Sequence, residues 1–272
     1  MIASRRATRL LVAVIGVGGP LPAQEDFRAA DQDRPLRVED AYPVKFLEWE
    51  WELGTRLMVA DGGRYMAAGV LEIKTGIARN LQVGLEAEPG WEREAGTSAA
   101  GIEAFGGHAL YNITQEGRRA PAISLRADAW SPGVGERRMQ DARARVRAIL
   151  TRSHGRARVH VNGAYTWASA SDGGDWWSGG LGFDYPIGLF SKAILGDVYV
   201  EAPAGGGTVR VWTEIGARFQ LTNSTVFDFG LTSRIDEWAD GAANVGLVVG
   251  LSRAFGIPGL VPVPRYPDPR ID

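Results

Sequence analysis

Charged side chains occupy every second position in several stretches of this 272-residue chain. Glu48, Glu50 and Glu52 alternate with tryptophan and leucine, and the arginines of residues 142–152 (ARARVRAILTR) alternate with alanine and valine. Because successive side chains of a β-strand point to opposite faces, each run predicts a strand with one charged and one apolar face. Two such charged faces could create a field across an aqueous space, which would orient polar or anionic solutes.

The histidines give little support for catalysis. Nucleophilic catalysis needs a hydroxyl or thiol group within hydrogen-bond reach of a base. Asn162 follows His160 on the same predicted face and offers no hydroxyl, while His154 follows Ser153 in a turn, where neighbouring side chains point apart. We therefore predict no enzyme, no catalytic residue and no cofactor, and a lipid hydrolase stays only as an alternative.

Composition excludes several other classes of site and partner. The chain has no cysteine, which excludes disulfides and thiolate metal sites. Its formal net charge of -2 lacks the basic excess of a nucleic-acid-binding protein. Asp172 and Asp175 are a lone pair of carboxylates in a glycine-rich stretch, which predicts a solvated loop, so no metal site is predicted.

Twelve segments share the alternation of apolar and polar residues, and turn residues separate them. Their length of roughly 11 to 16 residues suits a tilted membrane crossing. An open sheet cannot lie in a bilayer, since its edge groups would be unpaired, so the sheet must close. We therefore predict an all-β, transmembrane, antiparallel up-and-down β-barrel. Its strands are predicted at 44–60, 64–77, 81–92, 99–113, 121–131, 142–152, 156–169, 175–186, 190–202, 208–221, 225–237 and 242–255.

The ends of the chain differ from this pattern. Residues 1–23 have the basic start, short apolar core and small-residue end of a secretory signal peptide, with cleavage after Ala23. Residues 24–43 are polar and contain two prolines, which predicts an extended periplasmic lead-in outside the barrel wall. Residues 44–255 are predicted to form the barrel, and the proline-rich residues 256–272 a periplasmic tail.

The apolar faces are predicted to meet outer-membrane lipid, and the polar faces to line the lumen. Aromatic residues near strand ends fit interface girdles; they are Trp49, Trp51, Trp91, Trp167, Trp177, Trp238, Tyr185 and Phe255. The alternation also places Trp130 on the polar face. The predicted basic lumen residues are Arg126, Arg143, Arg145, Arg147, Arg158, Arg210, Arg218 and Arg234. The predicted acidic lumen residues are Glu48, Glu50, Glu52, Glu72, Glu86, Asp128, Asp184, Asp197, Glu201, Glu214 and Asp228.

Two segments resemble a known family. Residues 33–44 (DRPLRVEDAYPV), followed by a glutamate-bearing strand and the hairpin of residues 71–86 (LEIKTGIARNLQVGLE), resemble bacterial outer-membrane proteins of the meta-pathway phenol-degradation or transporter-like family. The resemblance implies an outer-membrane barrel that moves small, in particular aromatic, compounds, and it carries no catalytic residues over.

Two outcomes are open for the lumen. Eight-stranded barrels are filled by side chains and sixteen-stranded barrels conduct, so twelve strands lie between the two cases. The charged side chains could face an aqueous pore for small aromatic or anionic solutes. Alternatively, they could pair across the lumen, which would give a plugged structural barrel without transport.

Overall fold

The computed structural model describes residues 28–257 except 33, 61–62, 189–190 and 237–243. Twelve antiparallel strands form a closed barrel in which each strand pairs with its neighbours in sequence and β12 pairs with β1. The predicted fold class is therefore confirmed. The strands are β1 (Glu48–Ala60), β2 (Arg64–Ala78), β3 (Leu81–Glu94), β4 (Thr97–Thr114), β5 (Ala122–Gly135), β6 (Arg143–His154), β7 (Ala157–Trp167), β8 (Trp176–Ile187), β9 (Lys192–Pro203), β10 (Arg210–Thr222), β11 (Thr225–Arg234) and β12 (Asn244–Gly256).

The two surfaces of the barrel have inverted polarity relative to a water-soluble protein. Leucine and isoleucine side chains such as Leu85, Ile215 and Leu231 are more than half exposed on the outside. Charged side chains such as Arg147 and Asp228 are fully buried inside. This arrangement suits an apolar solvent outside, and closure pairs the wall's backbone groups as hydrocarbon requires. No helix among the described residues is long and apolar enough to cross a membrane.

Aromatic side chains lie on the outer surface near strand ends. Tyr165 packs edge-on against both Trp167 and Trp177, with ring centroids 5.0 and 4.6 Å apart. Tyr185 is exposed towards the opposite end of β8, and the guanidinium of Arg156 lies over its ring. These positions match the interface girdles of membrane barrels. Trp238 of the predicted girdle lies outside the described residues.

The two ends of the barrel differ in their connections. At the end where β1 begins, here called the turn end, three of the five connections are the two-residue turns 79–80, 155–156 and 223–224, and the longest is 115–121. The opposite, loop end carries the longer connections 136–142, 168–175 and 204–209. A loop expected at 93–98 is instead a tight turn, because Ala95 and Gly96 both adopt positive φ (47° and 86°) and β3 and β4 pair up to it.

Residues 28–32 and 34–44, here called the plug, lie inside the lumen. Their backbone N–H groups donate to wall side chains: Val38 to Asp197, Ala41 to Thr151 and Val44 to Gln82. Four apolar residues of the plug, Ala30, Leu36, Val38 and Ala41, are at most 1% exposed. The plug is therefore not the periplasmic lead-in expected from the sequence. Its polar groups are paired with side chains of the lumen wall rather than with bulk water.

The plug joins the wall beside β2. The N–H of Leu47 donates to the carbonyl of Gly76, and a Cβ at Gly76 would lie 2.4 Å from the carbonyl oxygens of Val44 and Lys45. Only glycine at position 76 allows the chain at residues 44 and 45 to approach β2 this closely. β1 itself begins at Glu48 rather than at the predicted residue 44. The predicted signal peptide, residues 1–23, and residues 258–272 of the predicted tail lie outside the described residues.

Arginine on the outer surface should destabilise the barrel according to depth. Ile215 and Leu221 lie on the outer face of β10 and are equally exposed at 59%, but Ile215 is central and Leu221 is next to the end. Ile215→Arg should lower the free energy of unfolding by about 2–4 kcal/mol and Leu221→Arg by about 0–1 kcal/mol. Denaturant unfolding in lipid vesicles measures both values. An equal cost at the two positions would contradict the membrane-facing assignment.

Candidate functional site

Buried ion pairs hold the middle of the plug. Arg34, 1% exposed, contacts Asp31 at 2.6 Å and Glu52 at 3.3 Å. Lys74 of β2 contacts the same two carboxylates at 2.6 and 2.5 Å. Burial by itself raises the pKa of Asp31, but Lys74 and Arg34 together hold it well below its ordinary value. The two cations thus join the plug carboxylate to the β1 carboxylate in one ionised network.

A second set of contacts holds Glu39. Its carboxylate accepts hydrogen bonds from Arg126 at 2.7 Å and Arg147 at 3.1 Å. Its backbone N–H and C=O groups both bond the side-chain amide of Asn162, at 2.9 and 2.8 Å. The plug backbone therefore pairs with the wall much as a strand pairs with its neighbour, but through side chains.

A third set of contacts resembles a catalytic triad in its connections. His160 Nδ1 lies 3.1 Å from Thr151 Oγ1, and its Nε2 lies 3.1 Å from Asp184 Oδ2. All three residues are 0% exposed, and Thr151 Oγ1 also accepts the N–H of Ala41. Arg28 and Arg158 both donate to Asp184. Thr151 and Asp184 thus bind plug groups and His160 links the two. Because all three side chains are fully buried, no substrate can reach the hydroxyl in this conformation.

Most of the predicted lumen residues are buried inside the barrel. Arg143, Arg145, Arg234, Glu48, Glu86 and Glu201 are half-buried, and Arg210 is exposed at the loop end. The buried ones are Arg126, Arg147, Arg158, Arg218, Glu50, Glu52, Glu72, Asp128, Asp184, Asp197, Glu214 and Asp228.

The acidic and basic groups meet inside the lumen rather than facing each other across open water. Arg143 of β6 binds Glu88 of β3 at 3.2 Å, and Arg218 binds Asp228 on the neighbouring strand. Arg126 reaches Glu39 of the plug. Of the two alternatives drawn from the sequence, this conformation therefore matches the one in which charged side chains pair across the lumen.

A cavity of about 200 Å³, here called the vestibule, remains on the loop side of the plug. Glu72, Glu86 and Arg126 line its wall, and Gln32 and Arg37 of the plug also border it. The guanidinium groups of Arg143 and Arg145 lie 4.4 and 4.9 Å from the ring centre of Trp130. Sequence alternation had already placed Trp130 on the polar face, but nothing in the sequence indicated Gln32 or Arg37.

The two loop aspartates serve local structure. Asp172 accepts the N–H groups of Gln140 and Asp141 at 3.0 and 2.9 Å. Asp175 accepts the Tyr165 hydroxyl at 2.8 Å and the Ala168 N–H at 2.9 Å. Their oxygens join neighbouring segments at the loop end.

Comparison with known proteins gives matches of structure only. No protein-family model matches the sequence, and no curated protein does. Among solved structures, an outer-membrane channel from Pseudomonas putida F1 superposes with a TM-score of 0.59 at 12% identity, covering 79% of this chain and 98% of the channel. The NanC porin gives 0.55 at 9% identity, covering 74% and 98%. The KdgM porin in complex with disordered oligogalacturonate gives 0.52 at 12% identity, covering 75% and 99%. The chain therefore shares its fold with an outer-membrane channel and with porins.

Proposed function

We propose that this protein is a channel of the bacterial outer membrane for small solutes, and that the plug is its gate. One observation carries the proposal. The lumen of a lipid-facing barrel is lined with charged groups, and among the described residues one segment outside the wall, the plug, lies in it. The fold shared with an outer-membrane channel and with porins supports the same function.

The chemistry of the plug contacts suits a movable segment. Its anchors are hydrogen bonds and ion pairs, such as those of Asp31, Arg34 and Glu39. Polar groups exchange such partners for water at a small net cost. The apolar surface exposed on release is limited to a few side chains, chiefly Leu36, Val38 and Ala41. When the plug leaves, the same wall side chains become the lining of an aqueous pore.

The vestibule suggests the class of solute. Its side chains combine four guanidinium groups and four carboxylates with the aromatic rings of Trp130, Trp176 and Tyr199; the charged residues are Arg37, Arg126, Arg143, Arg145, Glu72, Glu86, Glu88 and Glu201. Guanidinium groups bind carboxylates, and aromatic faces pack against flat apolar groups. We therefore propose small anionic or aromatic solutes, in agreement with the family resemblance of the hairpin at residues 71–86.

A disulfide between plug and wall should lock the gate. A Cβ placed on Gly182 of β8 would lie 3.1 Å from the Cβ of Val38, close to the roughly 3.5–4.5 Å of a disulfide. The chain has no other cysteine. A disulfide that stabilises the docked plug by about 2–4 kcal/mol should lower the fraction of molecules with an undocked plug at least about tenfold. Oxidised Val38→Cys/Gly182→Cys should therefore lose its conductance in planar bilayers and regain it on reduction.

The two single-cysteine variants are the matched controls and should not respond to oxidation. If wild type and the reduced double variant both lack conductance and solute uptake into liposomes, the protein is a plugged structural barrel. If the oxidised double variant conducts as well as the reduced one, the plug is not the gate.

Loss of Lys74 should open the channel. Lys74→Met leaves Asp31 and Glu52 with Arg34 as their remaining cation, and breaking a buried ion pair costs about 3–5 kcal/mol. The open fraction in single-channel recordings should rise more than tenfold. Arg210→Gln is the control, because the Arg210 side chain is 60% exposed and 4.0 Å from Glu201. An unchanged open fraction in Lys74→Met, with normal barrel stability, would contradict the role of this network.

Acid should favour the docked plug through Asp40. Its carboxylate accepts the N–H groups of Ala30 and Tyr42, and burial, only partly offset by Arg158, raises its pKa to about 7. Because the docked plug binds the proton more tightly than the released plug, whose Asp40 has a pKa near 4, docking weakens as pH rises from about 4 to 7.

The measurement compares conductance at pH 5 and pH 8. The wild-type protein should be more closed at pH 5, and Asp40→Asn should lose the part of the pH dependence that this group causes. Identical pH profiles for the two proteins would rule out Asp40 as the source.

A further inference from the structure

Three side chains of the described wall bring potential metal ligands together beside the vestibule. Glu72 of β2 and Glu86 of β3 are direct cross-strand partners, and His108 of β4 lies beside them. One ligand atom from each residue lies within 4.8 Å of the other two. The alternation pattern does not show that these three residues are neighbours in space, because they lie on three different strands.

The two carboxylates of this cluster differ in their neighbours, because Arg126 lies 3.9 Å from Oε2 of Glu86 but more than 4.0 Å from Glu72. Glu72 is 7% exposed and His108 6% exposed, and Nδ1 of the imidazole lies 3.1 Å from Oε1 of Glu72. Neither of these two atoms has a hydrogen-bond partner. Among the described residues, the only basic group within 4.0 Å of the Glu72 carboxylate is this imidazole. Adjacent like charges on paired strands destabilise a sheet, so a cation at this point would relieve the repulsion.

Neighbouring residues hold the cluster in place. A Cβ on Gly84 would lie 2.3 Å from Cε1 of His108, so glycine is needed there to seat the ring. The indole N–H of Trp130 donates to Oε1 of Glu86 and orients that carboxylate. Outer partners of this kind orient metal ligands in known sites.

We propose that Glu72, Glu86 and His108 bind one divalent transition-metal ion from the vestibule, and that its binding weakens docking of the plug. A mixed imidazole and carboxylate set suits a first-row ion such as Zn²⁺, and the two carboxylates balance its charge. Glu72 and Glu86 line the vestibule, so an ion can reach them without crossing the plug.

A chain of hydrogen bonds couples this site to the plug. The Val44 N–H donates to Oε1 of Gln82 at 2.8 Å, so the Gln82 amide nitrogen faces Nε2 of His108 at 3.0 Å. Nε2 must then accept, and the ring proton lies on Nδ1. A metal ion on Nδ1 displaces that proton, and the neutral ring then carries its proton on Nε2. Gln82 must turn its oxygen to Nε2, and Val44 loses its acceptor.

The first experiment measures metal binding by itself. Titration calorimetry with Zn²⁺, on full-length protein without a histidine tag, should give one site per chain. Glu72→Gln and His108→Gln should weaken binding by more than the roughly 10- to 100-fold loss caused by removing an outer partner. His154→Gln is the control, because His154 is exposed at the end of β6, and it should bind as wild type does. No binding by wild type, or equal binding by His108→Gln, would overturn the site.

The second experiment measures the coupling, which rests on the proposed gate, without measuring conductance. Leu36 is 0% exposed in the plug, and Leu36→Cys introduces the only thiol of the chain. Zn²⁺ should increase its rate of maleimide labelling several-fold, and Leu36→Cys/His108→Gln should not respond. If Zn²⁺ binds and labelling stays unchanged, the coupling is wrong and the site stands. If labelling rises while no solute passes, the channel function fails and the coupling stands.

Discussion

The need to pair every backbone N–H and C=O group in hydrocarbon governs this structure. It forces the sheet to close, and closure joins β1 to β12 along twelve residue pairs. This ring of twelve strands encloses more space than its own inward side chains fill, since the plug and a cavity of about 200 Å³ both lie inside it. The remaining volume must hold water or another part of the chain. Here the plug occupies the turn-end half of the lumen, and the vestibule is the space left on its loop side.

Charge pairing decides how that space is filled. A carboxylate or guanidinium group removed from water needs a partner, and each strand brings such groups to the lumen. The plug supplies complementary groups at matching positions, with Asp31 near Lys74, Arg34 near Glu52 and Glu39 near Arg126. In the gating proposed above, the same lumen side chains serve both states, paired with the plug when it is docked and hydrated when it is released.

The sequence predicts the wall well and the plug hardly at all. Period-two alternation is a local signal, so it located all twelve strands and the side on which Arg147 and Asp228 lie. The plug has no such period, and its partners Asp197 and Asn162 are more than 120 residues away in the chain. The group around His160 was missed for the same reason, because Thr151 and Asp184 come from the two flanking strands, β6 and β8.

The path of the plug makes the two ends of the barrel different. Both ends of the plug lie at the turn end, since Arg28 donates to the carbonyl of Arg156 in a turn and Val44 bonds Gln82 near the start of β3. The segment is thus a hairpin inserted from one side, and β1 tethers it there. In the gating proposed above, withdrawal would therefore be towards the turn end. A solute arriving from the loop side would push the hairpin out of the lumen, whereas one arriving from the turn end would push it further in, so opening would depend on the side of approach.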